Sequence, residues 1–225
     1  MSLLGRAAML LSFDVLEAAV AEHDRWHTVE HLPERLSIPG FLRGSRWIAN
    51  DAGPRYFVMY EVAELATLQS PPYRERLDHP SPWTARMMAH YRGMARGFCN
   101  VVASAGTGLG SAALLVRFSA APATRGTTRD GIVDELGRLA SREGLGSAHL
   151  FERASTPEMT AEQRIRGADA DVDGALLATG YDSGAVESLM REGAIAEALA
   201  AVGARVASAA TYRLHYTLTD RELQR

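Results

Sequence analysis

The order of strand-like and helix-like segments in this chain runs through once and then begins again, and that repetition restricts the fold more than any other feature. Ala7 to Val15 is an apolar run of strand length. In Leu16 to Leu36, the residues Leu16, Ala19, Val20, His23, Trp26, His27, Glu30 and His31 recur at the three- and four-residue spacing of a helix. Pro39-Gly40 stops it. Phe41 to Ala49 and Arg55 to Val62 read as strands joined through Asn50-Asp51-Ala52-Gly53-Pro54, a run of turn formers. Leu65 to Leu77 and Pro82 to Tyr91 read as a helical region interrupted near Asp78-His79-Pro80, and Gly97 to Ala103 as a fourth strand.

After a flexible connection marked by Gly106, Gly108 and Gly110, the order recurs. Ala112 to Ser119 reads as strand, Thr128 to Glu143 as a helix with Thr127 or Thr128 as N-cap, and Ser147 to Arg153 as strand. A polar stretch from Ala154 to Asp173 precedes a strand at Ala175 to Tyr181, an alanine-rich helix at Gly184 to Val202 and a final strand at Val206 to Leu218. The first and second strands of the two passes are offset by about 105 residues, as an internal duplication requires. The third strands lie further apart, and the surplus falls in the polar stretch, where a hairpin loop tolerates insertion. The expected fold class is therefore α+β: two tandem ferredoxin-like βαββαβ units, residues 1–105 and 111–225. Each sheet would carry helices on one face, and packing the two bare faces together gives an intramolecular α/β barrel. One continuous α+β domain without internal repeat is the alternative.

Composition narrows the function. With 225 residues, 47% hydrophobic and 23% charged, the chain is of ordinary globular make-up. A net charge of -3 offers no basic excess to attract phosphates, which argues against a nucleic-acid partner. The single cysteine, Cys99, cannot form an internal disulfide and sits among apolar neighbours, so a buried thiol in a cytoplasmic protein is expected. Asp14 directly after the apolar Ala7 to Phe13 run speaks against a signal segment, and no run approaches the length needed to cross a bilayer. The expected partners are a small-molecule ligand and, at most, a second copy of this internally paired chain as a homodimer, with no membrane.

Chemically suggestive side chains crowd one predicted helix: His23, Trp26, His27, Glu30, His31 and Glu34. Three histidines spaced four apart share a helix face. His27-Thr28-Val29-Glu30-His31 also fits the H-x-x-E-H pattern of inverted zinc peptidases. Those enzymes need a further acidic ligand and a different scaffold, and Pro33 disturbs the helix just beyond, so no metal is assigned. His31, with an ordinary pKa near neutrality, is the candidate proton shuttle, and Glu30 its candidate partner. The competing reading has His31 bonding the Pro39-Gly40 turn. His23 and His27 are expected mainly at the solvated surface, although His27 and Trp26 join the candidate binding set. Tyr60 alternates with Phe57 and Met59 on the third strand, Trp47 lies on the second, and Tyr73 and Trp83 punctuate the interrupted helical region. His215 on the last strand is a candidate contributed by the second half. Gly106-Thr107-Gly108-Leu109-Gly110 precedes a strand, whereas phosphate cradles follow one, so it reads as a linker. Arg86, Arg92 and Arg96 read as a solvated face.

Read onward, His31-Leu32-Pro33 and Ile38-Pro39-Gly40-Phe41 resemble the EthD-like members of the dimeric α/β barrel superfamily. These carry a helix with an acidic residue and a histidine before x-Pro, then a Pro-Gly turn into the second strand. The resemblance covers roughly Arg25 to Phe41. The first helix of the second half, Asp130 to Glu143, has no histidine, so a single site is implied. The resemblance implies a barrel-side pocket near His31 and a cofactor-independent enzyme acting on a small apolar or aromatic metabolite in the barrel by isomerisation, decarboxylation or oxygenation. A noncatalytic binding or accessory protein with the same pocket is the second reading. A haem protein, with His149 or His215 as axial ligand, is the third.

Overall fold

A computed structural model describes residues 2–50, 53–120, 125–154 and 173–224. The strands are β1 (Ala7–Val15), β2 (Phe41–Ala49), β3 (Tyr56–Val62), β4 (Tyr91–Gly106), β5 (Ala112–Ala120), β6 (Leu145–Arg153), β7 (Gly174–Gly180) and β8 (Ala204–Thr219). They close into an antiparallel barrel in the order β1-β3-β2-β8-β5-β7-β6-β4. Closure through the β2–β8 and β4–β6 pairs leaves no exposed sheet edge among the described residues. One arc of the barrel reads β4-β1-β3-β2 and the other β8-β5-β7-β6, the same order four strands later.

Strand alternation assigns the two faces. Ala8, Leu10, Trp47, Phe57, Met59, Cys99, Leu115, Phe151, Leu177 and Tyr212 fill the barrel interior with Leu3. The interior is thus a packed core, and Cys99 is buried there, its thiol pushed up to about 12 by desolvation. At one end Arg43 and Glu61 form an ion pair at 2.6 Å, and the Leu4 N–H donates to Glu61 at 2.7 Å.

The outer face is covered by helices. α1 (Val20–Trp26), a π-helical turn (His27–His31), α2 (Leu32–Leu36), α3 (Pro71–Asp78) and α4 (Pro82–Met88) lie over the first arc, whose core includes Met9, Phe13, Tyr56, Val58 and Tyr60. α5 (Arg125–Ala140), α6 (Ser183–Glu192) and α7 (Ala194–Ala201) lie over the second, on Leu114, Val116, Leu150 and Leu176. Ser70 and Ser81 cap α3 and α4 by accepting from the Tyr73 and Thr84 N–H groups, each followed by Pro at the first helical position, which explains the break around Pro80.

Several boundaries differ from the sequence expectation, each for a local reason. The Leu16 to Leu36 helix is composite: it opens with a 3-10 turn at Glu17–Ala19 and widens to a π turn at His27–His31. Pro33 has no N–H to offer Val29 and its ring would crowd that carbonyl; the wider turn, with the Leu32 N–H reaching back five residues to the His27 carbonyl, accommodates it. The Gly184 to Val202 helix breaks at Gly193, which takes φ 72°. β4 starts at Tyr91 rather than Gly97, and α5 at Arg125 rather than Thr128. The inserted polar stretch lies, but for its ends, outside the described residues.

Candidate functional site

A cavity of about 30 Å³ lies between the outer face of the first arc and the helices over it. Met9, Leu11 and Phe13 come from β1, Val58 and Tyr60 from β3, and Tyr91, Met94 and Arg96 from β4. The helical layer adds His27, His31, Arg35, Tyr73 and Met88. The expected place for a ligand was the barrel; the interior is instead filled by side chains, and the cavity lies outside it.

The π turn sets the histidines. His27 and His31 lie 5.5 Å apart between ring centroids, and His31 packs on Trp26 at 4.4 Å. His23, His27 and His31 are all buried, against the expectation that the first two meet solvent. Every third or fourth position of this segment faces the sheet, so the face that would have been solvated is the packed one. The Tyr60 hydroxyl approaches His27 Nε2 at 3.5 Å. Nδ1 of both His27 and His31 is buried without a hydrogen-bond partner. Unpaired buried polar atoms are uncommon, and two beside one cavity mark it as a place where a ligand can complete the bonding. Burial holds both imidazoles well below the usual histidine range, with neighbouring histidines adding for His27 and the Arg35 guanidinium for His31. Both are neutral at pH 7 and weak bases until an anion forms beside them.

Glu30 does not reach His31. Its Oε1 accepts from Trp26 Nε1 at 3.3 Å and from the Ser81 hydroxyl at 2.5 Å, tying the π turn to the start of α4. The carboxylate nearest His31 is Glu34, 3.9 Å from Nδ1 and paired with Arg35 at 3.3 Å. His31 makes no hydrogen bond to the Pro39-Gly40 turn among the described residues; the Gly40 carbonyl accepts from Ala63 instead. Among the described residues no three His, Cys, Asp or Glu side chains come together as a metal site.

Of the residues singled out from sequence, His27, His31, Tyr60 and Tyr73 line the cavity together. Trp26 backs His31. Trp47 points into the barrel interior, and Trp83 lies on α4 with its Nε1 donating to Glu22 at 3.0 Å. His215 lies on the exposed side of β8, its Nδ1 accepting from Arg46 at 3.2 Å. Arg35 and Tyr91 escaped the sequence reading, and two further polar contributors, Arg96 and, behind Tyr91, His23, were read there as solvated. Arg96 is buried against Phe98, 4.9 Å from its ring, rather than solvated like Arg86 and Arg92. Tyr91 joins Met94 and Arg96 on one face because a bulge at Gly93, φ 59°, shifts the alternation of β4 by one. Period-two spacing of Met94, Arg96 and Phe98 was the available signal.

Comparison with known proteins yields no matching family model and no matching curated protein. Solved structures do match over nearly the whole chain. A structure described as an anthrone oxidase-like protein superposes with TM-score 0.70 at 10% identity, over 98% of this chain and 96% of that one. A candidate monooxygenase from Lactobacillus acidophilus gives 0.58 at 10% identity, over 95% and 96%. A haem-binding protein from Thermus thermophilus gives 0.52 at 10% identity, over 98% and 94%. At such identities the likeness speaks for architecture alone: this chain has the α/β-barrel fold of these proteins.

Proposed function

We propose that the protein is a cofactor-independent oxygenase of a small aromatic metabolite carrying an acidic C–H bond, with its site in the cavity beside His27 and His31. The observation that carries this reading is the meeting of two neutral imidazoles, each with a buried nitrogen that lacks a hydrogen-bond partner, and two guanidinium groups, Arg35 and Arg96, around one cavity. His31 takes the substrate proton as a neutral imidazole. The arginines stabilise the enolate or carbanion as it forms, in surroundings where such interactions are strong. The electron pair then forms a C–O bond to dioxygen, and the peroxide loses hydroxide as a second C–H bond breaks. With anthrone, the substrate suggested by the fold neighbour's name, one dioxygen is consumed and one water released per anthraquinone formed. The cavity holds roughly two waters as it stands, so a ring must displace side chains; Met9, Met88 and Met94 are flexible enough to repack around it.

The resemblance of His31-Leu32-Pro33 to EthD-like proteins belongs to this reading, as do the tandem ferredoxin-like units 1–105 and 111–225. The recurring strand order and the site's confinement to the first arc support them, the second unit acting as a built-in partner. The weak basicity of His27 and His31 favours the second reading, a binding protein without turnover. The haem reading fits poorly: His149 is buried with Nδ1 on Ser104 and Nε2 between Ser2 and Ser147, and His215 Nδ1 faces Arg46.

Oxygen uptake with anthrone tests the proposal. The wild type is expected to consume dioxygen, and His31→Gln to lose roughly 100-fold or more in kcat, the usual range for a lost general base. Tight binding of anthrone without oxygen uptake would establish the binding reading in its place.

A further inference from the structure

A buried base that takes a proton from carbon and later supplies one to a departing hydroxide can exchange protons with water only over hydrogen-bonded groups, and Nδ1 of His31 and of His27, neither hydrogen-bonded, offer no such path outward among the described residues. A different chain of groups does. Tyr91 lines the cavity, and its hydroxyl lies 3.1 Å from His23 Nε2. His23 Nδ1 lies 3.4 Å from Asp24 Oδ1. The His23 side chain is fully enclosed, whereas Asp24 is 26% exposed. We infer that Tyr91, His23 and Asp24 form a proton relay joining the buried cavity to solvent. The inference rests on the reading of that cavity as a reaction site, but its geometry is independent of which substrate enters.

The three groups are oriented for the task. A carboxylate can only accept, so Asp24 fixes the proton of His23 on Nδ1, leaving Nε2 to accept from the tyrosine hydroxyl. Moving the His23 Nδ1 proton to Asp24 while Nε2 takes the Tyr91 proton delivers one proton outward and leaves a tyrosinate at the cavity. The tyrosinate takes the proton that His31 has gained from the first C–H bond; when hydroxide leaves, Tyr91 gives it a proton, and the reverse passage from Asp24 refills Tyr91 and returns the His23 proton to Nδ1, so the cycle closes with water as its product. Asp24 is held ready for this: burial raises its pKa, but the hydrogen bonds from His23 and from Tyr56, the latter at 2.8 Å, and the charge of Arg46 outweigh it and keep the carboxyl ionised. Burial lowers the His23 pKa and Asp24 opposes that. The groups facing His23 from all sides are Tyr91 and Tyr56 from the sheet, Asp24 and His27 from its own helix, and the charges of Arg46 and His215 from β2 and β8. Phe13 and Trp26 close the remaining sides at 5.7 and 5.8 Å. Tyr91 is the candidate catalytic residue; His23 and Asp24 act through it as positioning residues.

The test is hydrogen exchange of the histidine ring N–H protons by NMR on full-length, histidine-labelled protein without any ligand, alongside oxygen uptake with anthrone. The relay predicts that the His23 ring proton exchanges with water at least tenfold faster than those of His27 and His31. It further predicts that Asp24→Asn, which keeps an acceptor but cannot take a proton, slows that exchange about tenfold, and that Asp24→Glu restores it. In turnover, Tyr91→Phe and Asp24→Asn should lower kcat while leaving KM within twofold. A His23 proton as protected as its neighbours, or one indifferent to Asp24→Asn, overturns the relay whatever the activity. Absence of oxygen uptake in the wild type overturns the oxygenase reading and leaves the exchange result to stand by itself.

Discussion

At the scale of single residues, the molecule keeps several histidines neutral in its interior. His23, His27, His31 and His149 all have pKa values lowered chiefly by burial, His149 to about 4. The unfolded chain binds protons at these positions from about pH 6.5 downward and the folded chain does not. Stability contributed by a depressed pKa is fully present above the unfolded value and is lost as pH falls toward the folded one. His149 alone accounts for about 3 kcal/mol between pH 6.5 and 4. Thermal unfolding followed by circular dichroism should therefore show Tm roughly constant from pH 7 to 8 and falling steeply below pH 6. Replacing His149 by Gln should flatten part of that fall. A Tm unchanged between pH 7 and 5 would mean that these imidazoles are solvated.

At the scale of elements, the strands and most helices were legible in the sequence because alternation and helical period are imposed by burial on one face or both. β1, β2 and β3 fall within a residue of the expected Ala7 to Val15, Phe41 to Ala49 and Arg55 to Val62. What was not legible came from single residues that shift a register: Gly93 in β4, which turns Tyr91 inward, and Pro33, which widens the helix and lays His31 on Trp26. Neither effect alters the period by more than one residue, so the pattern hides it. Pro33→Ala should let the segment relax toward a regular α-helix and loosen the His31–Trp26 contact. The His31 ring protons would lose their upfield ring-current shift, with stability changed by no more than about 1 kcal/mol; an unchanged shift would show that Pro33 does not set the turn. Gly193 offers a cleaner backbone case, since a Cβ there meets no atom within 4 Å and the cost is conformational alone. Gly193→Ala should lower the urea-unfolding free energy by about 1 kcal/mol.

At the scale of the whole molecule, an eight-stranded antiparallel barrel with helices outside was anticipated from the order of segments, and the comparisons bear out that architecture. The place of the cavity, outside the barrel, was not. A barrel in outline suggests a ligand inside it, but Trp47, Phe57, Phe151 and Tyr212 occupy that space, which no periodicity could reveal because cores and cavities use the same residue types. The uneven placing of the histidines in the sequence has a structural counterpart at the equivalent place on the second arc. There a cavity of about 50 Å³ is lined by Leu114, Val116, Leu189, Ile195 and other apolar groups, with no ionisable side chain among them. Among the described residues, then, the first arc's cavity has polar and charged groups in its lining and the second arc's only apolar ones. The central claim is that ligand enters beside His27 and His31 in the helix-covered layer, and anthraquinone, the product expected of anthrone, is a probe that binds without reacting. Titrating it into histidine-labelled protein should shift the ring resonances of His27 and His31 while those of His149, inside the barrel, and of exposed His79 stay in place. Unmoved His27 and His31 signals, or a shift at His149 in their stead, would contradict the account.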